Sequence, residues 1–236
     1  MKDVIVALDF QNREQMRACL ERFGSARPYV KVGKELFYAE GPDVVYELKE
    51  RGHRVFLDLK LHDIPHTVQG AVYSLARLGA DMVNVHAAGG IAMMQAAREA
   101  SESSGYAHPL IIAVTQLTST GQDVMNRELL IPGTVEQVVL SYAKNAQEAG
   151  LDGVVCSPLE TALIKRELGD AFLTVTPGIR FSNGGNADDQ VRVTTPAQAG
   201  ADGSDYIVVG RPITRADDPL AAYARCVEEF RGGIDG

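Results

Sequence analysis

The chain has 236 residues, 45% hydrophobic and 23% charged, which are ordinary proportions for a globular domain. Its formal charge of −8 argues against non-specific binding to nucleic acid or an anionic membrane, since both need a net basic face. A small anion held in a local cationic pocket stays compatible with it.

Val4-Ile5-Val6-Ala7-Leu8 predicts a first strand ending at Asp9, with a helix over 13–23. Tyr29-Val30-Lys31-Val32 predicts a second strand, and 41–51 a helix closed by Gly52. The third strand covers 54–60; its helix begins near Pro65 and ends near Leu78-Gly79. Met82 to His86 is a fourth strand followed by a helix from Ile91 to Ser101, and Leu110 to Leu117 a fifth, followed by a long helix over 134–149 that stops at Gly150. Gly153 to Cys156 is a sixth strand with a helix over 158–168, Leu173 to Thr176 a seventh, and Tyr206 to Val209 an eighth, with a closing helix over 217–230.

Eight short apolar strands, each followed by a helix or its loop, predict an α/β chain folded as a single (β/α)8 TIM barrel, one domain over 1–236. Near-continuous apolar strands suit a parallel sheet covered on both faces; a doubly wound open sheet is the competing architecture. The stretch 181–189, rich in glycine and polar residues, predicts a mobile loop. Cys19, Cys156 and Cys226 are odd in number and far apart, so they read as packed small groups rather than a disulfide framework. No apolar run approaches the roughly 20 residues that span a bilayer. The first residues lead straight into a strand without signal-peptide character, so the expected location is cytoplasmic.

In such a barrel, catalytic groups gather at the carboxyl ends of the strands. Those ends carry Asp9, Lys31, Asp58 with Lys60, His86, Thr118 with Ser119, Pro177 with Arg180, and Gly210 with Arg211. Each alone has a bland reading: Lys31 could extend its stem over apolar surface, Asp9 could cap a helix, and Arg211 could form a surface ion pair. Together they point to an active site with two parts. Asp9, Lys31, Asp58, Lys60 and Asp63 can alternate in charge, which keeps the lysines protonated. A lysine held cationic suits proton donation and stabilisation of carbanionic charge. Across the mouth, Gly210-Arg211 offers backbone N–H groups and a bidentate fork to a phosphate. His62, Asp63 and His66 invite a metal reading, but Pro65 between the histidines disrupts the helical spacing it needs, so no metal is expected. No phosphate-binding glycine loop is present: Val32-Gly33-Lys34 lacks the upstream glycine.

The block Asp58-Leu59-Lys60-Leu61-His62-Asp63-Ile64-Pro65 resembles the signature of the orotidine 5′-monophosphate decarboxylase family of pyrimidine nucleotide synthesis. The resemblance extends through Ala7-Leu8-Asp9, Val30-Lys31-Val32-Gly33, Val85-His86-Ala87, Gln116-Leu117-Thr118-Ser119, Thr176-Pro177-Gly178-Ile179-Arg180, Asp189-Gln190 and Val209-Gly210-Arg211. It implies a homodimer with shared active sites and catalysis without metal or organic cofactor. It implies Lys60 as proton donor, with Asp58 holding it beside the departing carboxylate. Lys31 completes the charged network and, with Asp9, holds ribose hydroxyls. By the same resemblance Asp63 and Thr67 reach into the partner's site and Ile64 lines its wall. Thr118, Ser119 and Pro177 surround the pyrimidine, while Arg180, Gln190, Gly210 and Arg211 hold the phosphate under a lid formed by 181–189.

The nearest rival is a sugar-phosphate enzyme of the same barrel superfamily, such as a keto-gulonate phosphate decarboxylase or hexulose phosphate synthase. These share the D-x-K-x-x-D spacing but use magnesium and enediolate chemistry. Ile64-Pro65 and Leu117-Thr118-Ser119 favour the pyrimidine enzyme. A non-catalytic nucleotide-binding or scaffold protein predicts a broken charged network, whereas all five members are present. Gly184-Gly185, and Gly200 in the short helical stretch before the eighth strand, read as flexible choices where helix formers would serve stability better.

Overall fold

The computed structural model describes residues 2–106, 108–182 and 194–232. Its strands are β1 (Asp3–Ala7), β2 (Tyr29–Gly33), β3 (Val55–Leu61), β4 (Met82–His86), β5 (Leu110–Val114), β6 (Gly153–Val155), β7 (Leu173–Thr176) and β8 (Tyr206–Val209). All neighbours pair in parallel, and β1 closes on β8 with Val4 opposite Ile207 and Val6 opposite Val209. This closure excludes the open sheet. The helices are α1 (Arg13–Glu21), α2 (Lys34–Glu40), α3 (Asp43–Glu50), α4 (Pro65–Arg77), α5 (Gly90–Ser103), α6 (Val135–Glu148), α7 (Pro158–Leu168), α8 (Pro196–Ala201), α9 (Arg211–Thr214) and α10 (Pro219–Gly232).

Strand side chains alternate between two cores. Ile5, Tyr29, Phe56, Met82, Ile112, Val175 and Val208 meet inside the barrel. Their sequence neighbours, such as Val4, Val6, Val30, Val55, Leu57 and Val83, pack outward under the helices. The period of two then carries Lys31 inward after Tyr29, Asp58 after Phe56, and Asn84 after Met82. Helix starts follow local chemistry: Asn12 caps α1 by accepting from the Gln15 N–H. Thr134 with Gln137, and Ser157 with Glu160, form capping boxes on α6 and α7.

Three aspartates tie neighbouring strands together at the amino end of the barrel, each preceded by Gly-x. Gly79, Gly150 and Gly203 take φ of 80°, 77° and 92°, a region that favours glycine and ends the preceding helix. Two residues later, Asp81, Asp152 and Asp205 each send a backbone N–H to the strand before and accept an N–H from the same residue of it, Val55, Ile111 and Thr174 respectively. The same carboxylate oxygens bind Lys49 at 2.6 Å, Arg98 at 3.0 Å and Lys165 at 2.6 Å. Asp152→Ala is expected to lower stability by about 2 kcal/mol, because the buried Ile111 N–H loses its acceptor, while kcat holds. An unchanged midpoint in urea unfolding would show that the acceptor is replaceable.

Several elements differ from the sequence expectation. β5 ends at Val114 rather than Leu117, and Thr115 then bonds through both its N–H and its hydroxyl to the Val155 carbonyl. The short helices α2 and α9, and a π-helical turn over Val124–Glu128, had no signal strong enough to predict them. Gly200 is not a flexible choice: a Cβ there would lie 2.4 Å from the Phe230 carbonyl oxygen, so glycine is what lets α8 lie against α10. Gly184 and Gly185 lie outside the described residues.

Candidate active site

The carboxyl ends of the strands open into a cavity of about 780 Å³. Nine of the predicted residues line it: Asp9, Lys31, Asp58, Lys60, Thr118, Pro177, Arg180, Gly210 and Arg211. One wall is a chain of alternating charges. Lys31 Nζ donates to Asp9 Oδ1 at 2.9 Å and lies 3.3 Å from Asp58 Oδ2; Lys60 Nζ donates to Asp58 Oδ1 at 2.5 Å. Asp63, the expected fifth member, is not hydrogen-bonded or ion-paired to the other four; its carboxylate accepts the Ile64 N–H at 2.7 Å.

Burial and charge oppose each other in this chain. Burial alone would push the Lys31 pKa down, but the facing carboxylates of Asp58 and Asp9 outweigh it and hold it above its ordinary value. For Asp58, burial pushes up while Lys31, Lys60 and the Asn84 amide pull down, leaving a pKa of about 2. Both groups are therefore charged throughout the physiological range. Burial, the nearby His62 and the Lys60 cation lower His86 to about 4, so its imidazole is neutral at neutral pH. Gly33 makes room for the pair beside it: a Cβ there would press on Asp9 Oδ1 and Lys31 Nζ, each at 3.2 Å.

β3 is not a regular strand where it enters the site. Its register against β4 shifts between Leu57 and Leu61, and Lys60 takes φ 52°, in the left-handed region. Simple alternation predicted the shared face of Asp58 and Lys60 but not this bulge. Asn84, absent from the sequence candidates, meets both residues: Oδ1 accepts the Lys60 N–H at 2.8 Å, and Nδ2 donates to Asp58 Oδ1 at 2.7 Å. A polar residue at an inward position of an apolar strand was the signal available for it. Gln116, just before Leu117-Thr118-Ser119 in the chain, is buried and also lines the cavity.

The loops after β7 and β8 bring Arg180 and Arg211 to the same cavity. Arg211 opens α9 directly after Gly210, and Pro212 follows within its first turn. Arg180 follows Gly178 (φ 87°), and the segment is pinned where Arg180 N–H bonds Thr194 O at 2.9 Å and Thr194 N–H bonds Gly178 O at 3.1 Å. Gln190 and positions 183–189 of the expected lid lie outside the described residues. Ser119 is exposed and outside the cavity lining, because the chain turns away after Thr118. Asp63, Ile64 and Thr67 are also exposed and absent from the lining of this chain's cavity. No group of three or more His, Cys, Asp or Glu side chains among the described residues could hold a metal ion, and none of the described helices is long and apolar enough to cross a membrane.

Chemically, the cavity presents a fixed ammonium beside a carboxylate from β3, two guanidinium groups from the segments after β7 and β8, and an apolar floor of Phe56, Val175 and Val208. That arrangement suits an anion anchored at one end and carbanion-forming chemistry at the other.

The family model described as "Orotidine 5'-phosphate decarboxylase / HUMPS family" matches residues 2–226. A protein of Bacillus caldolyticus named orotidine 5′-phosphate decarboxylase is 57% identical over 232 residues, covering 97% of this chain and 95% of that one. A protein of the same name from Geobacillus sp. (strain WCH70) is 54% identical over 231 residues, covering 97% and 96%. The crystal structure of orotidine 5′-phosphate decarboxylase from Lactobacillus acidophilus is similar with a TM-score of 0.89 and 44% identity, over 98% of this chain and all of that one.

Proposed function

The chain belongs to the orotidine 5′-phosphate decarboxylase / HUMPS family, and from that premise we propose how its cavity converts orotidine 5′-phosphate to uridine 5′-phosphate and carbon dioxide. It is a carboxy-lyase of pyrimidine nucleotide synthesis. The family description also covers the sugar-phosphate rival, but the named relatives at 52–57% identity are all orotidine 5′-phosphate decarboxylases.

The observation that carries the site assignment is the unbroken run Asp9–Lys31–Asp58–Lys60 lining one cavity together with Arg180 and Arg211. Loss of carbon dioxide leaves an electron pair on a ring carbon that delocalises it poorly. Catalysis therefore needs charge stabilisation that exists at that carbon before reaction. The Lys60 ammonium, held by Asp58, supplies it without reorganising and delivers the proton that replaces the carboxyl group. Lys31 and Asp9 hold the ribose hydroxyls, Thr118 and Pro177 border the pyrimidine, and Arg180, Arg211 and the Gly210 backbone take the phosphate. Ser119 and Gln190 complete the ring and phosphate contacts in this reading. Binding energy from the phosphate, remote from the reacting carbon, helps hold the ring in place.

The barrel, over 1–236, acts as one catalytic domain without added cofactor, and two copies form a homodimer. Asp63, Ile64 and Thr67 project from each copy into the partner's cavity, which explains why they stand clear of their own. The three buried free cysteines suit a reducing cytoplasm. The test is direct: protein treated exhaustively with chelator should abolish the orotate absorbance band of orotidine 5′-phosphate. Activity that returns only with magnesium would favour the sugar-phosphate chemistry instead.

A further inference from the structure

Asn84 is 1% exposed, in the middle of β4. A buried primary amide among apolar strand residues is costly unless its donor and acceptor are both used. Both are used on the site. The partners also orient the amide, since a backbone N–H only donates and an ionised carboxylate only accepts. Its Oδ1 therefore faces the Lys60 N–H and its Nδ2 faces Asp58.

We propose that Asn84 is a positioning residue for decarboxylation, clamping the Lys60 backbone and the Asp58 carboxylate at once so that the Lys60 ammonium points at the reacting carbon. This rests on the roles given to Lys60 and Asp58 above. Two independent features of β3 carry it. The first is the backbone of Lys60, whose φ of 52° is unfavourable for a side-chain-bearing residue and needs a hold. The second is the register shift against β4, which interrupts the regular ladder at this point, so the acceptor for the Lys60 N–H comes from a side chain instead. If that hold is lost, Lys60 can relax out of the left-handed conformation, and its ammonium then loses the aim that this backbone gives it. Asp58 Oδ1 is where the two halves of the clamp meet, since it accepts from both Asn84 Nδ2 at 2.7 Å and Lys60 Nζ at 2.5 Å.

The charged and titratable groups around this point are Lys31 from β2, with Asp9 at the end of β1 behind it, Lys60 from β3 itself, and His86 from β4, which Lys34 and His62 also face. A new carboxylate at position 84 would be set against Asp58 at hydrogen-bond distance. Two carboxylates so close do not both ionise readily, so one takes up a proton at a pH where an isolated carboxyl would not. Once protonated, such a side chain reproduces the asparagine: its carbonyl accepts from Lys60 and its hydroxyl donates to Asp58.

The experiment measures kcat and KM for orotidine 5′-phosphate with wild type, Asn84→Ala and Asn84→Asp from neutral to mildly acidic pH. Asn84→Ala is expected to lose about 100-fold in kcat with KM within about threefold of wild type, the pattern of a misaimed group rather than lost binding. For Asn84→Asp, the ratio of its kcat to that of wild type should climb as pH falls. A merely space-filling asparagine predicts a flat ratio, and that result would overturn the proposal. So would an Asn84→Ala enzyme with kcat within about threefold of wild type. If the alanine variant does not fold, the slope of the aspartate ratio decides alone. A wild type that releases no carbon dioxide from this substrate overturns the underlying reading of the site; an active wild type beside unaffected variants overturns only the role of Asn84.

Discussion

Replacing Lys60 with alanine is expected to lower kcat on orotidine 5′-phosphate by roughly 10⁴-fold or more, while uridine 5′-phosphate still binds within about tenfold of wild type. The lysine is asked to stabilise the developing carbanion electrostatically and to protonate it, and no other cation of the wall can take over. Lys31, the nearest candidate, is held between Asp9 at 2.9 Å and Asp58 at 3.3 Å. Product binding is expected to survive because Arg180 and Arg211, the proposed phosphate ligands, are untouched. The variant should also fold. Asp58 keeps Lys31 and the Asn84 amide as partners, so no buried carboxylate is stranded. Asp58→Ala is a poorer test, since it leaves two ammonium groups facing each other without the carboxylate between them. Wild-type-like turnover by Lys60→Ala would remove Lys60 from the chemistry, and equal losses in product binding and turnover would make it a binding residue.

The barrel was readable from the chain because its strands are short, apolar and separated by helices with clear stop signals. β4, β7 and β8 occupy the predicted residues, and Gly52, Gly79 and Gly150 all follow helix ends with positive φ. The charged wall was readable because Lys31, Asp58 and Lys60 interrupt apolar strands, where an ionisable group needs partners. What escaped was whatever depends on two strands at once. The bulge at Lys60 leaves no local signature, since Asp-Leu-Lys-Leu alternates perfectly well as an ordinary strand. Asn84 has no charge and only acquires meaning when its neighbour is known to be that bulge. Gly33 and Gly200 are fixed by atoms distant in sequence, the Asp9–Lys31 pair and the Phe230 carbonyl. The thrice-used Gly-x-Asp link between strands recurs at unequal intervals, which hides it from a search for a regular repeat.

Mixing Lys60→Ala with Asp63→Ala, each inactive alone, is expected to restore about a quarter of wild-type activity after full subunit exchange, the statistical yield of one intact site in half of the dimers. Asp63 is exposed beyond the end of β3, outside the cavity lining of its own chain, and Lys60 there has Asp58 as its carboxylate partner at 2.5 Å. Ile64 beside it is 65% exposed, and Tyr73 further along α4 is 39% exposed, apolar surface that a second copy would cover. If the partner subunit's Asp63 completes each site, a hybrid dimer pairs the surviving Lys60 of one chain with the surviving Asp63 of the other. The control is a mixture of Lys60→Ala with Asp58→Ala. Both residues belong to the same chain's cavity, joined by a 2.5 Å hydrogen bond, so no hybrid can reunite them and no activity should return. Recovery in the first mixture and silence in the second would divide the Asp58–Thr67 segment between two active sites. Recovery in neither, with exchange verified, would confine each site to a single chain and leave Asp63 its bond to the Ile64 N–H as its role.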